Sequence, residues 1–389
     1  MNKVIILRYI VFFFISIMCV QYVPIEGPDI SLFKFGAMII CPFILFLNFS
    51  NFTRGIFICF LYVLSFSFSG FYNIESFRLS TYGYKLSYVI MFLMCYELIH
   101  TKKVIQLSNF ENLVKKIIFV LVIVLILQQI AIIIGIRRLD IINLYAFLDR
   151  GIGANSMTIE PSHTARILTV LALVYLRIQE INFGKKLDVK KIYRLNKKIF
   201  IGFIWSMVSM GSGTAFVGLA ILTTYFISTK NIIKISFFIT TIYLVSVNIN
   251  FKPLERAIAS IESVTTFDNE KIKEADRSAA SRILPLINTF RGIDFSSSNS
   301  WFGYGIDSNA SQDLLGETKT VGDLKDYGLI SYIFSFFLVF SLCIRKFFSL
   351  ETLIFVALLG AGISNISYIW GILLLFTTMR YFQLNQINS

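Results

Sequence analysis

Apolar runs recur along nearly the whole chain, separated by short polar turns, and a single long polar stretch breaks the pattern. The runs cover residues 4–23, 30–49, 55–71, 84–99, 117–136, 161–176, 199–228, 235–251, 327–344 and 352–379. About 20 apolar residues cross a bilayer as a helix, so most of these read as one span each. The run at 199–228 is too long for one untilted helix. Gly211, Ser212 and Gly213 interrupt it, which predicts two helices joined by a tight turn. The run at 352–379 likewise predicts two helices meeting near 362–367. The pattern predicts an all-α polytopic membrane protein of about twelve transmembrane helices, a single integral membrane domain over 1–389. No small-residue cleavage site precedes Val23, so the first run reads as a retained helix.

The break in the pattern is residues 252–326, between the ninth and tenth predicted helices. It carries twelve Asp and Glu against nine Lys and Arg. Positive charge is retained in cytoplasmic loops. The loops after the second, fourth, sixth, eighth and tenth helices carry Lys or Arg with few acids; the strongest holds Lys185, Lys186, Lys190, Lys191, Arg194, Lys197 and Lys198. That assignment puts both termini in the cytoplasm and the long loop outside. Arg137, Arg138 and Arg150, in the loop after the fifth helix, are exceptions on the outer side.

Composition agrees with the pattern. Of 389 residues, 56% are hydrophobic and 15% charged, against roughly 25% charged in soluble domains; the mean hydropathy is +0.72. The formal charge of +13 follows from loop retention and does not indicate nucleic-acid binding. Cys19, Cys41, Cys59, Cys95 and Cys343 all lie in apolar runs without CxxC spacing, which reads as free core thiols. Two histidines, His100 and His163, argue against a histidine-rich metal centre. No metal and no cofactor is expected.

The candidate chemistry lies at helix ends and in the long loop. In EPSH, Pro161 suits the first turn of a helix that Glu160 or Ser162 can cap. His163 and Arg166 share one face a turn further in. Ionisable groups inside a spanning helix point to function, although a pair of Glu160 with Arg166 would satisfy both groups without any. Arg137 and Arg138 read as interfacial anchors, whereas Arg150, followed by Gly151 and Gly153, suits an anion. MGSGTAFVGLA, residues 210–220, reads as close helix packing. In the long loop Arg277, Arg282 and Arg291 precede Trp301-Phe302-Gly303-Tyr304-Gly305. Planar guanidinium forks suit phosphate, and a solvated loop with surface ion pairs is the other reading.

Together these features resemble the Wzy-type polysaccharide polymerases, the family that polymerises O-antigen and capsule repeat units and is related to the O-antigen ligases. The likeness runs roughly from the fifth to the twelfth helix. It implies a GT-C-like membrane glycosyltransferase on the periplasmic face of the bacterial inner membrane. Donor and acceptor would both be undecaprenyl-diphosphate-linked glycans, with a chain-length regulator as partner. It further implies Glu160 and His163 as catalytic residues, either one being the base. Arg150, Arg166, Arg277, Arg282 and Arg291 would hold the diphosphate, and Gly303 and Gly305 would shape the loop end. The sequence departs from the family in two ways. Arg291 to Gly303 is one residue longer than the Arg-to-Gly spacing of some polymerases, and the loop lacks the histidine of the ligases. A ligase or a lipid-linked glycan flippase are the alternatives; a flippase would carry charge through many helix centres rather than one large outer loop.

Overall fold

The computed structural model describes residues 3–22, 31–49, 51–145, 151–227, 293–305 and 324–385. They are mostly helical. In chain order the helices are α1 Lys3–Met18, α2 Leu32–Met38, α3 Cys41–Asn48, α4 Arg54–Tyr72, α5 Leu79–His100, α6 Leu107–Ile133 and α7 Pro161–Phe183. They continue with α8 Val189–Leu195, α9 Lys197–Ser209, α10 Gly213–Tyr225, α11 Ser298–Phe302, α12 Leu324–Leu338, α13 Leu350–Leu359 and α14 Ser367–Asn385. A π-helical turn, Val339–Cys343, extends α12. Among the described residues three helical stretches are long and apolar enough to cross a membrane: Arg54–Tyr72, Leu107–Ile133 and Asp326–Cys343. Shorter apolar helices cover Leu32–Asn48, Gly213–Tyr225 and Leu350–Leu359. The predicted span at 235–251 lies outside the described residues.

Several elements differ from the expectation for physical reasons. The run at 30–49 forms α2 and α3 rather than one helix, because Pro42 cannot donate to the carbonyl four residues back and stands at the start of α3. Helix α6 begins at Leu107, ten residues before its apolar run. It takes in Lys115 and Lys116, which the apolar pattern leaves in a loop; Lys115 pairs with Glu111 one turn back at 3.0 Å. Helix α12 is interrupted at Gly328, whose φ of 75° is not helical. Both predicted breaks do form, between α9 and α10 and between α13 and α14. All five cysteines are buried free thiols.

The chain forms two compact units. One comprises Met1–Cys19, Ile25–Ile105 and Ser278–Ser389. Its centre is α14, buried on every side from Ser367 to Met379, as expected of a helix that is apolar all round. Gly371 lets the Met18–Cys19 backbone lie against α14, and Trp370 stacks on Tyr88 of α5 with centroids 5.6 Å apart. Helix α5 packs in turn on α2, α3 and α4, and α4 on α12.

The other unit comprises Val20–Pro24 and Gln106–Arg277. Helix α7 starts with Pro161 in its first turn and stops at Gly184, where φ is 67°, the usual placement of a rigid start and a left-handed stop. It packs on α6 and α10. Gly218 brings α10 so close to α7 that a β-carbon there would run into the Thr169 side chain, which realises the packing read from the small residues at 210–220. Outward from α6 point Phe119, Ile123, Leu127, Ile130 and Ile133, an apolar face at helical spacing suited to lipid.

Candidate functional site

The Glu160–Arg166 turn rests on a network of buried polar side chains. Gln21, Gln128, Asn143, Asn155, Ser156, Thr158, Ser162 and Thr164 are all buried. A short antiparallel hairpin pairing Arg138 with Tyr145 and Leu139 with Leu144 follows α6. Asn143, in the turn of this hairpin, takes the left-handed conformation with φ 55°, which a short polar side chain tolerates better than most. Its amide nitrogen faces the carbonyls of Gln21 at 3.3 Å, Ser156 at 3.0 Å and Thr158 at 3.0 Å. Gln128, inside the most apolar of the three long helical stretches, faces the carbonyls of Ile142, Asn143 and Ser156 with its nitrogen and accepts from the Ser156 N–H at 2.6 Å with its oxygen. Asn155 donates to Asn143 O at 2.9 Å and also to Thr158 O. These side chains supply donors to the buried carbonyls of a non-helical segment.

That segment aims the turn. The Thr158 hydroxyl lies 2.7 Å from the Glu160 carbonyl and 2.7 Å from Thr164 Oγ1, so the entry to α7 is tied to its first turn. Glu160 occupies the N-cap position without capping through its side chain; Ser162 donates to its carboxylate at 3.0 Å. Glu160 is exposed, and His163 and Arg166 are half-buried. His163 Nδ1 lies 2.8 Å from Gln21 Oε1. With that oxygen accepting, Nδ1 carries the proton and Nε2 is the basic nitrogen. A carboxylate, an imidazole and a guanidinium thus share the first two turns of one helix, beside its positive dipole end. The set can take a proton and hold an anion.

Gly303 and Gly305 belong to the other unit, and both have positive φ, 80° and 86°. Gly303 lies directly against Gly328: a β-carbon on either would meet the backbone of the facing strand of chain. Ser69 of α4 and Asn73, which follows it, donate to the Phe302 carbonyl, and Tyr72 stacks on the Phe302 ring at 5.0 Å. The loop end is therefore a shelf fixed to α4 and α12. Upstream, the Ser296 hydroxyl and N–H donate to Asp294 and hold its carboxyl below the usual range. Arg150, Arg277, Arg282 and Arg291 lie outside the described residues. Arg138 pairs with Asp140 at 3.1 Å on the surface.

Two lysines of the first unit escape the sequence reasoning. Lys85 is fully buried in α5, its ammonium 3.4 Å from the Tyr327 ring centroid, 4.8 Å from Phe66 and 5.4 Å from Tyr62. Lys34 is buried in α2 and donates to Ser367 Oγ at 2.8 Å. The signal was there: both are single charges flanked by apolar and aromatic residues, the pattern that marks an intramembrane ionisable group. Among the described residues no group of three or more His, Cys, Asp or Glu side chains is placed to hold a metal ion.

Comparison with protein-family models, with curated proteins and with solved structures finds no match to this chain. Fold and site define a class only: a mostly helical protein with helices apolar and long enough to cross a membrane, carrying a Glu–His–Arg turn on a buried amide cradle.

Proposed function

We propose that the chain is a Wzy-type polymerase that joins undecaprenyl-diphosphate-linked oligosaccharide repeat units on the periplasmic face of a bacterial inner membrane, in O-antigen or capsule synthesis. In this reading the chain crosses the membrane about twelve times in a GT-C-like arrangement, with both termini in the cytoplasm. The observation that carries the reading is the Glu160–His163–Arg166 turn, in which Gln21 orients the imidazole and Ser162 orients the carboxylate.

The reaction asks for what these groups can do. The acceptor hydroxyl attacks the anomeric carbon of the donor glycan. The bond from that carbon to the diphosphate oxygen breaks, and the hydroxyl proton passes to Glu160 or to His163 Nε2. The diphosphate leaves on its lipid as an anion, and a fixed guanidinium such as Arg166 stabilises the developing charge. A chain-length regulator would set when growth stops.

The test is deletion of the gene in its host. A polymerase leaves the surface glycan as single repeat units on gels. Loss of all surface glycan, with long chains still built on the carrier lipid, replaces this reading with the ligase. Complementation with His163→Ala and Glu160→Gln then shows whether the turn carries the chemistry.

A further inference from the structure

The second unit holds a half-open cavity of about 810 Å³ that the polymerase reading leaves without a role. Helices α7, α9 and α10 wall it with Tyr175, Leu176, Phe203, Ile204 and Leu222, and Phe226 joins them just past the end of α10. Its lining is polarised. Apart from Thr223, whose hydroxyl is spent on the Ala220 carbonyl, and the Tyr175 hydroxyl, the polar lining groups all come from residues 188–196: Asp188, Lys190, Tyr193 and Asn196. A mostly apolar chamber whose polar lining comes chiefly from one stretch of chain fits an amphiphile with a long hydrocarbon part and one polar head.

The charge beside that end states the sign of the head. Residues 185–198 hold six lysines and one arginine against a single aspartate, and all seven basic residues are exposed. Lys190 lines the cavity itself, and in the same stretch Lys191 sits 3.9 Å from the Phe183 ring centroid and Lys186 5.3 Å from that of Tyr225. On the outer surface of α9, Ile201, Trp205 and Val208 are exposed, an apolar face suited to lipid beside the helix that walls the cavity.

We propose that this cavity takes an acyl chain of an anionic glycerophospholipid, whose phosphate is held by the lysines of α8 and its flanks. Basic pockets between membrane helices recognise anionic head groups in this way, and a phospholipid is the bulk amphiphile of the bilayer in which the chain would sit. The site depends on membrane residence but not on polymerase chemistry.

The experiment is native mass spectrometry of the full-length chain, purified in mild detergent and titrated with phosphatidylglycerol or phosphatidylethanolamine of identical acyl composition. Phosphatidylglycerol is expected to bind about tenfold or more tightly. The variant Lys190→Gln/Lys191→Gln, altered only at exposed positions, should lose about fivefold per lysine removed. Leu222→Trp, which adds an indole ring to the chamber wall, should weaken both lipids alike. Equal binding of the two lipids, a double variant that keeps its preference, or stronger binding of a polyprenyl phosphate overturns the proposal. Lipid retention is read without glycan substrate, so a failed polymerase reading leaves the result standing. Recovery of the chain in the aqueous fraction overturns the site at an earlier step.

Discussion

Asn143 holds three backbone carbonyls with one amide while its own backbone is left-handed. Both properties are lost in Asn143→Ala. Gln128 still faces the Ser156 carbonyl and Asn155 still donates to that of Thr158, so the loss falls on the Gln21 carbonyl, at roughly 1–3 kcal/mol, and on the left-handed backbone, for which a residue without a polar tip pays more. The variant is expected to lose roughly 2–4 kcal/mol, seen as a lower thermal midpoint of the detergent-purified protein, with no residue of the Glu–His–Arg turn altered. On the chemical side, whichever of Glu160 and His163 is the base should cost about 10²–10⁴-fold in glycan elongation when replaced by Gln or Ala. Unchanged ladders from both variants would remove the turn from the mechanism. EPSH was legible because proline at a helix start and ionisable groups one turn in are local patterns. The cradle was not legible: Gln128, Asn143 and Asn155 are ordinary polar residues in sequence, and only the fold brings them to the same carbonyls.

At the scale of elements, close approach decides. Gly218→Val should force α10 off Thr169 and Met207, at roughly 1–3 kcal/mol for an overpacked contact, measured as a fall in thermal midpoint. Gly328→Ala and Gly360→Ala differ in both conformation and space. Gly360, with φ 64° and ψ 30°, is left-handed helical and its variant pays roughly 1–2 kcal/mol; Gly328, with φ 75° and ψ 177°, holds a conformation that essentially only glycine takes. Gly360 faces open space, whereas a β-carbon on Gly328 meets the Trp301 carbonyl and the Gly303 nitrogen, neither of which can swing away. Gly328→Ala should therefore be the more damaging of the two; equal losses would mean that the shelf at Gly303 yields. The break at Gly328 could not be placed from hydropathy, which sees a run from 327 onward and not the backbone of Trp301 lying against it. The two-helix splits were legible because Gly-rich punctuation sits inside runs too long for one helix.

For the whole molecule, the twelve-span reading and the three long apolar helices make opposite predictions about two described segments. If only Arg54–Tyr72, Leu107–Ile133 and Asp326–Cys343 cross the bilayer, residues 185–198 and 293–305 fall between the second and third crossings and share one side. If the runs at 199–228 and 235–251 also cross, three further spans separate the segments and place them on opposite faces. The charge pattern favours the second case, since the first segment carries seven basic residues and one acid while the second carries Asp294 and no basic residue. Cysteine labelling can decide, because the five native thiols are buried, while Lys190 and Ser296 are exposed. In intact cells, a membrane-impermeant maleimide is expected to modify Ser296→Cys and to reach Lys190→Cys only after the membrane is opened. Labelling of both before permeabilisation would put the basic loop outside with the shelf and overturn the twelve-span topology. Labelling of neither until the membrane is opened would put the shelf at Gly303 on the cytoplasmic side, away from any glycan presented outside the cell membrane, and the polymerase reading would fail with it.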